Sequence, residues 1–217
     1  MMNDGELSKM KKILNVKPKS QLSPIPMVMG CEGTAASMLL DYNHIFVHPI
    51  SLMKRWPTHP SNPNKGYVGH FLMIKPGAHQ TIFPNAFVPY LKQYDTRIKD
   101  GTGKSLAELE RIIDAGQPVL IYHTVLGQKP QRRTFRVDDT RKEWVSNIHI
   151  TLLIGYDQNN YFYIDPLWAQ FGRKLYVPAL IPSRYQVIQI PKDKMRQSYD
   201  SAGRLCLYHA TEATENL

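Results

Sequence analysis

The spacing of apolar positions divides the chain into two unlike halves. Before Pro118 it is helical. Ala35, Met38, Leu39 and Tyr42 fall on one face of a helix opening at Cys31, and Leu106, Leu109, Ile112 and Ile113 on one face of another. The second helix is expected over residues 105–115. Ser105 and Glu108 make a capping box at its start, and Gly116 with Pro118 ends it. From Pro118 onward the pattern becomes that of strands, expected at 119–125, 134–137, 148–156, 161–165, 186–190 and 204–209. A short strand at 13–16 precedes the first helix. Helices gathered in one half and strands in the other predict an α+β fold.

Between the two helices, residues 44–83 are dense in Pro, Gly, Asn and His, with one short helix expected after Pro49. A long irregular stretch of this kind in a compact domain is usually a functional loop. A further short helix is expected over 85–94, with Pro89 in its first turn, where proline is tolerated. No Gly/Ser linker separates the halves. Residues 21–217 are therefore expected to form a single domain of two lobes, helical over 21–117 and β over 118–210, after an N-terminal extension of residues 1–20.

A chain of 217 residues buries roughly 70–75% of its unfolded surface, enough for a core without disulfide or metal staples. With 42% apolar and 21% charged residues it is not a disordered chain. Its longest apolar runs fall far short of the ~20 residues of a membrane-spanning helix, so no membrane span is expected. The net charge of +9 favours anionic partners: nucleic acid, an anionic membrane or a wall polymer. The basic groups at 9–12, 131–133 and 136–142 are scattered and carry no nucleic-acid motif, so only weak contact with anionic surface polymers is expected, and no nucleic acid. The first residues lack an apolar signal region. That suits a cytoplasmic chain as given, or a secreted one whose export signal has been removed.

Two cysteines, Cys31 and Cys206, make neither a disulfide framework nor a metal site. Gly103, Lys104 and Ser105 imitate the end of a phosphate-binding loop, but Ile98 stands where its first glycine belongs. The eight histidines are dispersed, so neither metal nor cofactor is expected. Cys206, between Leu205 and Leu207, reads as a small core residue. Cys31 opens a helix, where free N–H groups and the helix dipole, with a histidine nearby, can lower a thiol from about 8.5 to about 3.5–7.5. Gly30 before it would let a substrate backbone approach.

A nucleophilic thiol needs a base and a group to orient that base. His149 stands at the head of the most apolar strand, and the next strand ends at Asp165-Pro166. Asp157 would lie roughly 26 Å from His149 along the strand, whereas Asp165 returns to the same end of the hairpin. The two share a face only if the hairpin loop has an odd number of residues or a strand carries a bulge. A three-residue loop at 157–159 would serve. His123 is the competing base, and a half-buried strand residue is its plainer role.

The residues Gln21, GCEGTAASMLLDY at 30–42, SLAELERIIDAGQPVLIYHT at 105–124 and IHITLLIGYDQNNYFYIDPL at 148–167 resemble the papain-like cysteine peptidases related to the bacteriocin-processing, double-glycine leader peptidases. Within them they look like the stand-alone bacterial branch with a Gly-Cys-Glu motif. The resemblance implies a papain-like fold and a peptidase acting on a peptide or protein substrate. It implies Cys31 as nucleophile, His149 as general base and acid, Asp165 as the group orienting His149, and Gln21 as an oxyanion-hole donor beside the Cys31 N–H. Gly30 and Glu32 of the motif are expected substrate contacts. Two alternatives stand beside hydrolysis: thiol acyl transfer (transpeptidation or transglutamination) on the same fold, and a non-catalytic module that binds a peptide or wall polymer.

Overall fold

A computed structural model describes residues 11–214. Of the expected extension over 1–20 and the basic group at 9–12, residues 1–10 lie outside the described residues, as do 215–217 at the other end. In chain order the elements are β1 Lys12–Ile13, α1 Cys31–Tyr42, α2 Pro49–Met53, α3 Pro84–Leu91, β2 Ile98–Asp100, α4 Leu106–Asp114, β3 Val119–Thr124, β4 Arg132–Val137, β5 Thr140–Val145, β6 Ile148–Tyr156, β7 Asn160–Ile164, β8 Trp168–Phe171, β9 Leu175–Pro178, β10 Val187–Pro191, α5 Lys192–Ser201 and β11 Cys206–His209. This is the α+β architecture expected. The main sheet runs β10-β7-β6-β3-β11-β2 with antiparallel neighbours, and β1 pairs with the far end of β6. Among the described residues, no helix is long and apolar enough to cross a membrane.

Helix α1 is buried on all sides from Cys31 to Leu40, as its run of apolar and small residues requires of a helix inside a core. A Cβ at Gly33 would collide with the Met53 side chain, so glycine there lets α2 close onto α1. Ser105 and Glu108 form the expected capping box: Ser105 N–H donates to Glu108 Oε2 at 2.7 Å. Four positions are corrected. Pro89 lies inside α3, not in its first turn, because the helix begins at Pro84; Asn85 and Pro89 are both exposed, so the missing bond falls on the wet face. Residues 12–20 belong to the domain and are not an extension before it. Ile13 pairs with Gly155, Leu14 and Val16 are buried, and Lys19 bonds Ser37 at 2.6 Å and Asp41 at 2.6 Å. The strand expected at 13–16 is two residues long and starts at Lys12. Strands β2, β5, β8 and β9 and helix α5 were not expected from the sequence.

The hairpin of β6 and β7 departs from expectation in an informative way. Tyr156 pairs with Tyr161 and Gly155 with Phe162, so four residues, an even number, separate the paired Tyr156 and Tyr161. The register then shifts at Ile154, and Leu153 pairs with Tyr163 and Leu152 with Ile164. That single extra residue does what a three-residue loop would have done. Continued by one step, the register sets Thr151 opposite residue 165, so Asp165 shares a face with His149.

Candidate active site

The thiol sits where the loop before α1 meets the first turn. That loop is tied down by its own backbone: Met27 N–H donates to Gln21 O at 2.8 Å, Gly30 N–H to Met27 O at 2.9 Å, and Met29 N–H to Phe71 O at 3.0 Å. Cys31 is 9% exposed, and its Sγ lies 3.2 Å from Glu32 Oε2. Among the described residues the Cys31 backbone N–H has no acceptor. The sequence led us to expect a lowered thiol pKa. Instead it is raised well above the usual range, first by burial, then by the Glu32 carboxyl through charge and hydrogen bond; the Ile150 backbone works in the opposite direction. Burial outweighs the helix terminus.

Ile150 follows His149 in β6. His149 Nε2 donates to Asp165 Oδ1 at 2.7 Å, and both side chains are buried. Asp165 Oδ1 also accepts the backbone N–H groups of Leu167 at 2.8 Å and Trp168 at 3.0 Å, a turn that aims the carboxylate back at the strand. Gln186 clamps its main chain. Asp165 N–H donates to Gln186 O at 2.9 Å, and Gln186 Nε2 donates to Asp165 O at 2.8 Å and to Lys19 O at 2.9 Å. With Nε2 committed to Asp165, Nδ1 is the imidazole nitrogen with a lone pair to accept a proton. The structure thus brings together Cys31, Glu32, His149 and Asp165. Gln186 and the Leu167 and Trp168 N–H groups were missed, since a glutamine opening a late strand carries no signal of what it clamps.

Three expectations change. Gln21 Nε2 donates to Met27 O at 2.9 Å and Val28 O at 3.1 Å, so both amide hydrogens brace the loop and none is free for an oxyanion. At Gly30 an added Cβ would stand 2.7 Å from Met27 Cβ and 3.4 Å from Met53 Cε; its bare face looks into the protein, not at a substrate. Glu32 is 1% exposed and meets the thiol rather than an open surface. His123, directly opposite His149 in the sheet, is fully buried. Its ring bonds Thr151 Oγ1 at 2.9 Å, and burial pulls its pKa down to about 3, so it stays neutral.

A cleft of about 300 Å³ lies near the site, lined by Met29 and Ile148, which are close in sequence to Cys31 and His149, and by Gly77, Ala78, Arg133 and Phe135. A larger cleft, about 770 Å³, is lined by Asp41, Tyr42 and Asn43 at the other end of α1 and contains none of the site residues. The loop at 70–76 borders a further cleft of about 580 Å³ with Met73 and Ile74 exposed. Part of the long segment 44–83 lies beside the thiol through Thr81, which meets Glu32, and Tyr67, which is close to Glu32 and Cys31.

Comparison with known proteins adds three findings. A sequence model of the Peptidase_C39 like family matches residues 13–205. The uncharacterized protein YvpB of Bacillus subtilis is 25% identical over 179 residues, spanning 78% of this chain and 70% of that one. A crystal structure described as a presumed C39-like peptidase from Bacillus anthracis superposes with a TM-score of 0.78 at 26% identity, over 93% of this chain and 98% of that one.

Proposed function

The chain belongs to the peptidase C39-like family, and from that membership we propose that it is a cysteine peptidase whose working residues are Cys31, His149 and Asp165. The observation that carries this reading is the 2.7 Å bond from His149 Nε2 to Asp165 Oδ1, made on the strand whose next residue lies against the thiol. Asp165 fixes the imidazole tautomer, leaving Nδ1 to take the Cys31 S–H proton. The thiolate attacks an amide carbonyl and forms the carbon–sulfur bond. The oxyanion then meets the unpartnered Cys31 N–H, a donor already in place. His149 returns its proton to the leaving amine, and water, deprotonated by the same nitrogen, releases the acyl group. A buried thiol with a raised pKa gives up its proton only to a base in contact, which suppresses reaction with thiol reagents at large. The substrate is a peptide laid along the cleft beside Met29 and Ile148, between the loop at 74–80 and the β4–β5 hairpin.

The test is incubation with an unfolded protein followed by counting new α-amino termini by mass spectrometry. New termini that vanish with Cys31→Ala and with His149→Ala are expected. Products carrying an added amine in place of water would move the reaction to acyl transfer. No new termini and no amine products, with peptide or wall polymer bound reversibly, would sink the enzymatic reading.

A further inference from the structure

Glu32 touches the thiol and has no part in the triad. It occupies the second position of α1, is 1% exposed, and brings Oε2 to 3.2 Å from the Cys31 Sγ. Its other oxygen, Oε1, is buried without a hydrogen-bond partner. Among the described residues no lysine or arginine pairs with it. The groups facing it are Cys31, Thr81, Tyr67, Tyr122 and the ring of His149, and His149 is already bonded to Asp165. Thr81, the Glu32 main chain and the His149 ring ease a charge there, but burial outweighs them.

The nucleophile makes the difficulty worse. Attack requires a thiolate, and an ionised Glu32 would set a second anion beside it in a dry pocket; two like charges this close do not both ionise. One proton must remain with the pair. If the sulfur loses its own to His149, the carboxyl must keep the other. We propose that Glu32 is a hydrogen-bond donor to the nucleophile: a neutral carboxylic acid whose O–H points at the Cys31 sulfur and steadies it as thiolate. The 3.2 Å contact serves both states. In the resting thiol the sulfur donates to Oε2, and after proton transfer to His149 the acid's O–H turns to donate to the sulfur. Glu32 neither gains nor loses a proton in the cycle. Burial raises the Glu32 pKa, the direction this role needs. With both Gln21 hydrogens spent on loop carbonyls, such a donor adds to the few that the site offers a developing negative charge.

This inference rests on the triad reading, and the experiment separates the two. The rate of Cys31 alkylation by iodoacetamide is measured from pH 4 to 10 in the intact wild type, Glu32→Gln, Glu32→Ala and His149→Ala, with folding followed by circular dichroism. Reactivity of the wild type should fall on the alkaline side as Glu32 ionises beside the sulfur. An amide donates but cannot ionise, so E32Q should stay within about tenfold of the wild-type maximum and lose that alkaline fall. E32A should be slower by about 10²-fold, the scale of a missing donor to a reacting charge. If E32A fails to fold, the alkaline limb of E32Q decides alone. An alkaline fall unchanged in E32Q, or a folded E32Q as slow as E32A, would overturn the donor role. If His149→Ala loses reactivity in that same experiment, the triad survives and only Glu32 is reassigned. Reactivity untouched by His149→Ala would remove the triad and this proposal together.

Discussion

At the scale of single residues, the proposed chemistry depends on which nitrogen of His149 carries hydrogen. Asp165 Oδ1 holds Nε2–H at 2.7 Å while accepting two backbone N–H groups of its own turn. An amide in its place could present N–H to the ring and select the other tautomer. Asp165→Asn should therefore lower turnover by about 10³–10⁴ with little change in KM, read from initial rates on a cleaved peptide. His123 makes the opposite prediction, on stability. Its folded pKa is depressed to about 3 by burial, below the ~6.5 of an unfolded histidine. The unfolded state therefore binds the extra proton between those values, and stability falls as pH drops from about 6.5 toward 3, by up to roughly 1.4 kcal/mol per pH unit. Urea midpoints across this range should flatten in His123→Phe, and a slope unchanged in that variant would contradict the burial argument.

At the scale of elements, the bulge at Ile154 decides whether the site exists. With four residues between paired Tyr156 and Tyr161, His149 and Asp165 would fall on opposite faces; the register shift between Leu153 and Gly155 restores them to one. Deleting Ile154 should leave a folded sheet by circular dichroism while lowering Cys31 reactivity by about 10³-fold or more, since the base loses its orienting carboxylate. A deletion variant that keeps wild-type reactivity would rule out this reading of the register. The requirement for a parity device was legible in the residue count, but its location was not. Nothing in Leu-Ile-Gly distinguishes a bulge from a regular strand until β1 is seen lying against Gly155, where a Cβ would collide with Lys12 O. Helices α1 and α4 and strand β6 were legible because each buries a continuous apolar face. Strand β5 reads Thr-Arg-Lys-Glu-Trp-Val and is mostly exposed, and α5 buries only Met195, Ser198 and Tyr199. Both are formed by pairing or docking rather than by pattern. In the candidate site, the residue types of the proposed triad were legible, whereas the use of Gln21 was not, because its amide is consumed by loop carbonyls that only the folded chain presents.

At the scale of the whole molecule, the β4–β5 hairpin that borders the proposed substrate cleft is tied to the long loop at residues 61–65. Asp138, at the tip of the β4–β5 hairpin, accepts Asn62 Nδ2 at 2.7 Å and Lys65 Nζ at 3.0 Å, and its N–H donates to Ser61 Oγ at 3.0 Å. The Asn62 hydrogen bond and Lys65 keep its carboxyl below the usual range. Asp138→Ala should free the hairpin from the long loop and raise KM several-fold, with turnover within about twofold, because binding geometry is lost and the thiol is untouched. A variant with normal KM would mean that the walls are set by other contacts. The C39-like family, the α+β fold and the buried His149–Asp165 pair all support the proposed site. The decisive measurement is capture of the acyl-enzyme: the protein is mixed with an activated peptide ester, quenched in acid within seconds, and mapped by mass spectrometry. The acyl group should be found on Cys31, be absent from His149→Ala, and never appear on Cys206, whose thiol is buried in β11 and pushed up to about 12. An adduct shared equally by the two cysteines, or none on Cys31, would contradict the assignment of Cys31 as the nucleophile.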